Sequence, residues 1–419
     1  MGRKGQDSAV LFTLFYPYST FDYYVDVEVE MICKQFNKVY IIPVSVEDKV
    51  ERIIPANAQL IESKFTPKAS DSIAKALLSK TYRKEMLLAF KRGKLNKNLF
   101  KHLTLQHSKV LFLRNLLLNI LKHDDRVSLV YSHWLLEGTY AAALIKDSYS
   151  FKLVSKAHSL DIYKERHVNN YIPFLENTVN QLDQLHFISE LGKSYFNSMY
   201  GFKMPNHKQF VSRLGIANPL PPKEYLTTDT LKIISVSYIY PLKRVDLILE
   251  AIAQIDNFKI EWHHIGAYYE NHTQKLKEKA SELLHNKSNV KVEWLGNCSI
   301  PQVYAHYQKN HFDLFISASS SEGIPVSMME CMSFGIPVLS TDVGGVKEIV
   351  DHGVNGVMVD ANPTAQDIAN EIKAYFALSQ EQKTSMRHSA YYKWKNFYNA
   401  EINFQKFLDI ALNKKEHKA

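Results

Sequence analysis

A chain of 419 residues is too long for one ordinary hydrophobic core and suits two α/β domains of similar size. Its 46% hydrophobic and 12% aromatic content can build those cores, which excludes a disordered chain. The formal net charge is +8, and no stretch approaches roughly 18 uninterrupted apolar residues, so no segment reads as a spanning helix.

The start, M-G-R-K-G-Q-D-S, leads only into a short apolar run, so it does not read as a signal peptide. Gln6 breaks the myristoylation pattern. Cys33, Cys298 and Cys331 lie far apart without metal-ligand spacing, which points to buried thiols in a reducing compartment. Strands are predicted at Val10–Phe15, Val39–Pro43, Leu129–Ser132, Lys152–Ala157 and Gln184–Ser189. The turn from Tyr16 to Tyr24 has no glycine, so close backbone approach to a phosphate is not expected there. Glu28 and Glu30 of V-D-V-E-V-E fall on a predicted helix, facing solvent or the acceptor side, with no chemistry assigned.

Between Ser63 and Lys122 the chain is strongly basic, and Asp71 and Glu85 are its only acids. Lys64, Lys68, Lys75, Lys80, Arg83, Lys84, Lys91, Arg92, Lys94, Lys97, Lys101, Lys109, Arg114 and Lys122 interleave with Leu77, Leu78, Met86, Leu87, Phe90 and Leu95 at amphipathic-helix spacing. Two readings stay open for 64–122, a solvated helical face and attraction to an anionic membrane surface. No recognition motif accompanies the charge, so nucleic acid is not an expected partner. Further on, Tyr131-Ser132-His133-Trp134 and Lys156-Ala157-His158-Ser159-Leu160-Asp161 each run over the end of a predicted strand. The polar, proline-rich stretch Asn218 to Thr230 reads as a linker. The expected division is 1–217, 218–385 and a helical segment 386–419.

The second half alternates strands (Leu231–Ser237, Ile260–Ile265, Val290–Leu295, Leu314–Ala318, Pro337–Ser340, Gly356–Val359) with helical patterns such as Val245–Ile255 and Thr273–Leu284. Such alternation implies right-handed crossovers and a parallel, doubly wound sheet, whose ligands bind at the carboxyl ends of the strands. Gly266, Gly296 with Asn297, and Glu322 all fall just past strand ends. Lys243 follows the first of these strands. Glu322 sits in the turn Glu322-Gly323-Ile324-Pro325, and Pro325 suits a first helical turn because its missing N–H costs nothing there. From Val326 the chain can be helical, which puts Glu330 one turn in, beside N–H groups that attract anions. Carboxylates there can accept hydrogen bonds from sugar hydroxyls, and the constellation reads as a sugar-nucleotide site.

The string S-x-x-E-G-x-P, a helix with a second Glu, then Gly335, Pro337, Val338, Thr341, Gly344, Gly345 and Glu348, resembles the signature of retaining glycosyltransferases of the family-4 type (glycosyl transferases group 1). The resemblance implies an α/β GT-B fold, two Rossmann-like doubly wound parallel-sheet domains facing across a cleft, with the last helix crossing back to the first domain. It implies transfer of a sugar from a nucleotide-diphosphate sugar to a glycan or lipid-linked saccharide. Surface polysaccharide or glycolipid biosynthesis is the implied setting, in the cytoplasm or at the inner membrane face.

By the same resemblance His158 approaches the donor sugar and Lys243 grips the diphosphate. Glu322 and Gly323 hold sugar hydroxyls, the helix start near Val326 faces the diphosphate, Glu330 accepts from the ribose, and the base rests near Gly296–Asn297. No Asp-x-Asp motif stands at a strand end, so a metal-independent site is expected, with no cofactor beyond the donor. The chain departs from the pattern at Tyr238, where the family carries an arginine. A non-catalytic partner subunit and a sugar-nucleotide epimerase are the alternatives.

Overall fold

The computed structural model describes residues 7–19, 22–47, 49, 52–67, 76–200, 204–218, 220, 222, 228–267 and 270–413. Lys68, Asp71 and Lys75 of the basic stretch, and 219, 221 and 223–227 of the proline-rich stretch, lie outside the described residues. The chain divides into two compact units, Met1–Leu214 with Ala400–Ala419, and Gly215–Asn399.

The first unit holds a seven-stranded sheet of β1 (Ser8–Thr13), β2 (Lys38–Pro43), β3 (Ala58–Leu60), β4 (Val127–Ser132), β5 (Lys152–Ala157), β6 (Gln184–Phe187) and β7 (Gln209–Val211). The order is β3-β2-β1-β4-β5-β6-β7, with every pair parallel. All six residues of β1 are buried, as a strand covered on both faces requires. The two-residue period sorts them. Val10 and Phe12 join a core with Ile42, Val130, Leu113 and Leu117, while Ala9 and Leu11 pack with Val25, Val29, Ile41, Phe404, Phe407 and Leu408. The helices Val25–Gln35 and Ala400–Ala411 supply that second layer. The Phe407 ring lies 4.9 Å from Tyr131 and 4.7 Å from His186.

The basic stretch forms the helices Lys80–Lys91 and Lys97–His123, each started by a side chain that accepts from the first turn (Ser79, Asn96). The second buries Leu99, Leu103, Val110, Leu113 and Leu117 at helical spacing.

The second unit holds a six-stranded parallel sheet in the order β10-β9-β8-β11-β12-β13. Its strands are β8 (Thr230–Val236), β9 (Lys259–Ile265), β10 (Val290–Gly296), β11 (Leu314–Ser317), β12 (Val338–Thr341) and β13 (Gly356–Val359). The helix Val245–Ala253 buries Ile248, Leu249 and Ile252 against it, and the helix Ala365–Ala377 adds Ile368, Ile372 and Tyr375. Every predicted strand forms within a few residues of its expected ends. Two were not foreseen, β3 and β7, which lie at the two edges of the first sheet. Among the described residues no helix is long and apolar enough to cross a membrane.

Each sheet has one place where the winding reverses. In the first, β1 lies between β2 and β4; in the second, β8 lies between β9 and β11. Crossovers leave on opposite faces there, opening a crevice at the carboxyl ends of the strands where such sheets bind ligands.

Candidate functional site

In the second unit the reversal point is flanked by the segment after β8 and the segment after β11. The first makes a single 3-10 turn, Pro241–Lys243, and Arg244 then takes a left-handed conformation (φ 45°, ψ 45°) before the helix at Val245. The second runs from Ala318 through Glu322 to Pro325. The Lys243 Nζ donates to Glu322 Oε1 at 2.6 Å, with the side chains 29% and 11% exposed. The structure thus brings two predicted site residues into one partly desolvated ion pair, and the Glu322 carboxylate is turned toward the lysine.

Backbone contacts hold the two segments together. The Ser320 N–H donates to Leu242 O at 2.8 Å. The Arg244 guanidinium spans both, donating to Ala318 O, to Ser319 O at 2.9 Å and to Ala361 O at 2.8 Å. Adjacent residues one α-helical step apart would point about 100° away from each other. That geometry does not apply here, because Arg244 lies in a left-handed bend rather than on a helix. The outcome is the same: its charge is spent on loop carbonyls and does not stand in for the arginine missing at Tyr238. Tyr238 itself is 57% exposed just past β8.

On the far side the Glu322-Gly323 backbone rests on the Gly344-Gly345 turn. The Gly345 N–H donates to Gly323 O at 2.8 Å. Gly344 has φ 53°, and a Cβ there would meet Glu322 O at 1.9 Å. Only glycine fits both conditions. The following helix, Val326–Ser333, begins at Pro325 (φ −74°, ψ 108°), which is its cap and lies just outside the first turn. The Met328 N–H donates to Pro325 O at 3.2 Å, and no side chain caps the N–H groups of Val326 and Ser327, which can meet an anion. Glu330, one turn in, is buried. Gly296 ends β10 and Asn297 follows it, and both are tied to the residues just past β9, through Gly266 N to Gly296 O (2.7 Å) and Ala267 N to Asn297 Oδ1 (2.8 Å).

In the first unit, His158 follows β5 and is buried. Its ring stacks on Trp134 with centroids 4.0 Å apart, and its Nε2 lies 2.9 Å from His133 O. Burial, with the Lys156 and His133 charges adding to it, holds its pKa well below the ordinary range, so the ring is neutral near pH 7. Asp161 accepts from the N–H groups of His158 (2.9 Å) and Leu135 (3.0 Å), and its burial pushes the carboxyl up to about 8.

Of the two expectations for Glu28, the solvent-facing one is overturned. Glu28 is buried, accepts from Tyr131 OH at 2.7 Å, lies 2.7 Å from His133 Nδ1 and pairs with Lys156. Burial alone would raise its pKa. The charges of His133 and Lys156 beside it win and hold it below the usual carboxylate range. Its partners come from β4 and β5, far along the chain, and only its position on the inner stripe of a helix could have signalled them.

Among the described residues one group could hold a metal ion, Glu261, His263 and Glu293 of β9 and β10, with ligand atoms within 4.8 Å of one another. Lys291 already donates to Glu261 at 2.9 Å and Lys232 lies 3.8 Å away, so protein charges answer that carboxylate.

Residues 219–393 match the model of glycosyl transferases group 1. The chain is 27% identical to the putative colanic acid biosynthesis glycosyltransferase WcaL of Escherichia coli (strain K12), over 60% of this chain and 62% of that protein. It thus spans less than two thirds of the length of the first curated relatives it matches. Among solved structures, the apo form of the lipopolysaccharide outer core galactosyltransferase WaaB superposes with a TM-score of 0.67 at 14% identity, covering 98% of this chain and 100% of that one. Alr3699/HepE of Anabaena, in complex with UDP and glucose, does so with a TM-score of 0.63 at 14% identity and the same coverage. The chain therefore has the GT-B fold, and its residues 219–393 match the model of the glycosyl transferases group 1 family.

Proposed function

We propose that this protein is a retaining glycosyltransferase. It moves a sugar from a nucleotide-diphosphate donor to a glycan or lipid-linked saccharide, in the making of a surface polysaccharide or glycolipid. The observation that carries this reading is the Lys243–Glu322 pair, set at the reversal point of the second sheet beside the uncapped helix start at Val326. A leaving diphosphate gains negative charge as its bond to the anomeric carbon breaks, and fixed positive groups there lower the barrier. The Lys243 ammonium and the first N–H groups of the helix, those of Val326 and Ser327, supply them, and no divalent cation is required for that role. Glu322 and the Gly323 backbone accept and donate to hydroxyls of the sugar, Glu330 accepts from the ribose, and the base rests against Gly296–Asn297.

The acceptor hydroxyl forms its bond to the anomeric carbon on the face from which the diphosphate departs, and its proton passes to the leaving phosphate. His158 is neutral at pH 7, so its part in the reaction is a hydrogen bond rather than a charge. The free thiols of Cys33, Cys298 and Cys331 suit a cytoplasmic location. The relatives named for colanic acid and lipopolysaccharide biosynthesis support the choice of product class, and the UDP in the Anabaena structure makes uridine diphosphate sugars the first donors to try.

A thermal-shift screen of nucleoside diphosphates and nucleotide sugars tests the donor site, because a bound ligand raises the melting temperature by mass action. One base should stand out, NMR of the product should show the donor's anomeric configuration, and turnover should survive EDTA. No shift from any nucleotide at millimolar concentration would end the reading. Tyr238 favours a second one, a partner subunit that keeps the fold without turnover; it predicts no calorimetric donor affinity tighter than millimolar and no product with any acceptor.

A further inference from the structure

The helix Lys80–Lys91 has two unlike sides. Tyr82, Glu85 and Ala89 are buried and anchor it to the first unit. Lys80, Arg83, Lys84, Leu87, Phe90 and Lys91 recur at three- and four-residue steps and are all exposed. This outer face carries no carboxylate. The helix's one acid, Glu85, points inward and accepts from Tyr171 OH at 2.6 Å and Phe174 N at 2.9 Å. Leu87 is 54% exposed and Phe90 69%, while Leu77 and Leu78 just ahead of the helix are 51% and 81% exposed. A single exposed leucine needs no explanation. Four large apolar side chains within one short, basic segment are a patch, and such patches mark interaction surfaces.

We propose that this face docks the protein on an anionic lipid surface. Leu77, Leu78, Leu87 and Phe90 enter the boundary between headgroups and acyl chains, while Lys80, Arg83, Lys84, Lys91 and the neighbouring Lys94 and Lys97 meet lipid phosphates. The charge pattern selects this occupant. A second copy of the chain placed face to face would oppose like charges across the contact, and nucleic acid could stack a base on Phe90 but leaves the aliphatic Leu77, Leu78 and Leu87 without an apolar phase to enter. The inference stands apart from the proposed transferase activity, since lipid binding is read without turnover.

The test is co-sedimentation of the full chain with phosphatidylcholine vesicles, either pure or with roughly one lipid in three replaced by phosphatidylglycerol. Binding should occur only with the anionic vesicles and weaken as salt rises. Both L87S/F90S and K84E/K91E should weaken it about tenfold or more, with melting temperature and gel-filtration position unchanged. Equal binding to neutral vesicles, no binding to either, or undiminished binding of L87S/F90S would overturn the proposal. So would a dimer that L87S/F90S dissociates, or retention on single-stranded nucleic acid without vesicle binding.

Discussion

The Lys243–Glu322 pair is partly exposed to water, so its worth as a fold-stabilising contact is small, on the order of 1 kcal/mol. Its worth to a leaving diphosphate is larger because the charge there develops as the reaction proceeds. K243A is therefore expected to cut turnover by about 10²–10³-fold while lowering stability by only about 1 kcal/mol. Steady-state kinetics beside urea unfolding would separate the two effects. Adding E322Q to K243A should recover the lost stability, since no uncompensated carboxylate remains, without recovering turnover. A K243A enzyme with wild-type kcat/KM would remove the lysine from the mechanism.

At the scale of elements, the loop after β11 is held from two sides, by the Arg244 guanidinium on its carbonyls and by the Gly344-Gly345 turn beneath Glu322. G344A places a methyl group 1.9 Å from Glu322 O and asks a left-handed conformation of alanine. It should cost about 2 kcal/mol or more in denaturant unfolding and lower activity by displacing Glu322. R244A should also unstitch the loop, raising its hydrogen exchange and reducing turnover by releasing the carbonyls that the guanidinium holds.

The strand–turn–helix pattern around Glu322 was legible in the sequence because glycine, proline and apolar runs punctuate it locally. The clamp by Arg244 was not, because a positive φ at an arginine has no compositional sign. The edge strands β3 and β7 are three residues each, A-Q-L and Q-F-V, too short to show a period. For Glu28 both solvent and the acceptor side stayed open, because a helix wheel places a residue on a stripe without saying that Lys156 and His133 await it there.

For the molecule as a whole, buried histidines set the response to acid. His107 and His264 are lowered to about 4, and His158 and His186 lie well below their ordinary value, burial being the main cause in each. In the folded state these rings stay neutral at pH 5.5, whereas in the unfolded chain they are mostly protonated. The unfolded state thus binds more protons, and stability falls as pH drops from 6.5 toward 4. Each ring should contribute about 1.4 kcal/mol of loss by roughly pH 5.5, visible as a falling urea midpoint.

Asp161 has the opposite sign. Its carboxyl is raised from 3.8 to about 8, so its protonated form is favoured on folding, and the stability it supports fades as pH rises through that interval. D161N should therefore stabilise the protein more at pH 8 than at pH 4. A gain independent of pH would assign the carboxyl an ordinary titration.

The chain segment Gly215–Asn399 closes into a unit of its own before the helix Ala400–Ala411, which completes the first unit, is reached. On a ribosome this reverses the usual order of maturation. The half begun first waits with Leu11, Tyr131 and His186 uncovered until the later half has been translated, and only then receives Phe404, Phe407 and Leu408. Stalled nascent chains that end before Ala400 should expose that bare sheet face to chaperones and proteases while the segment that follows Leu214 is already protected.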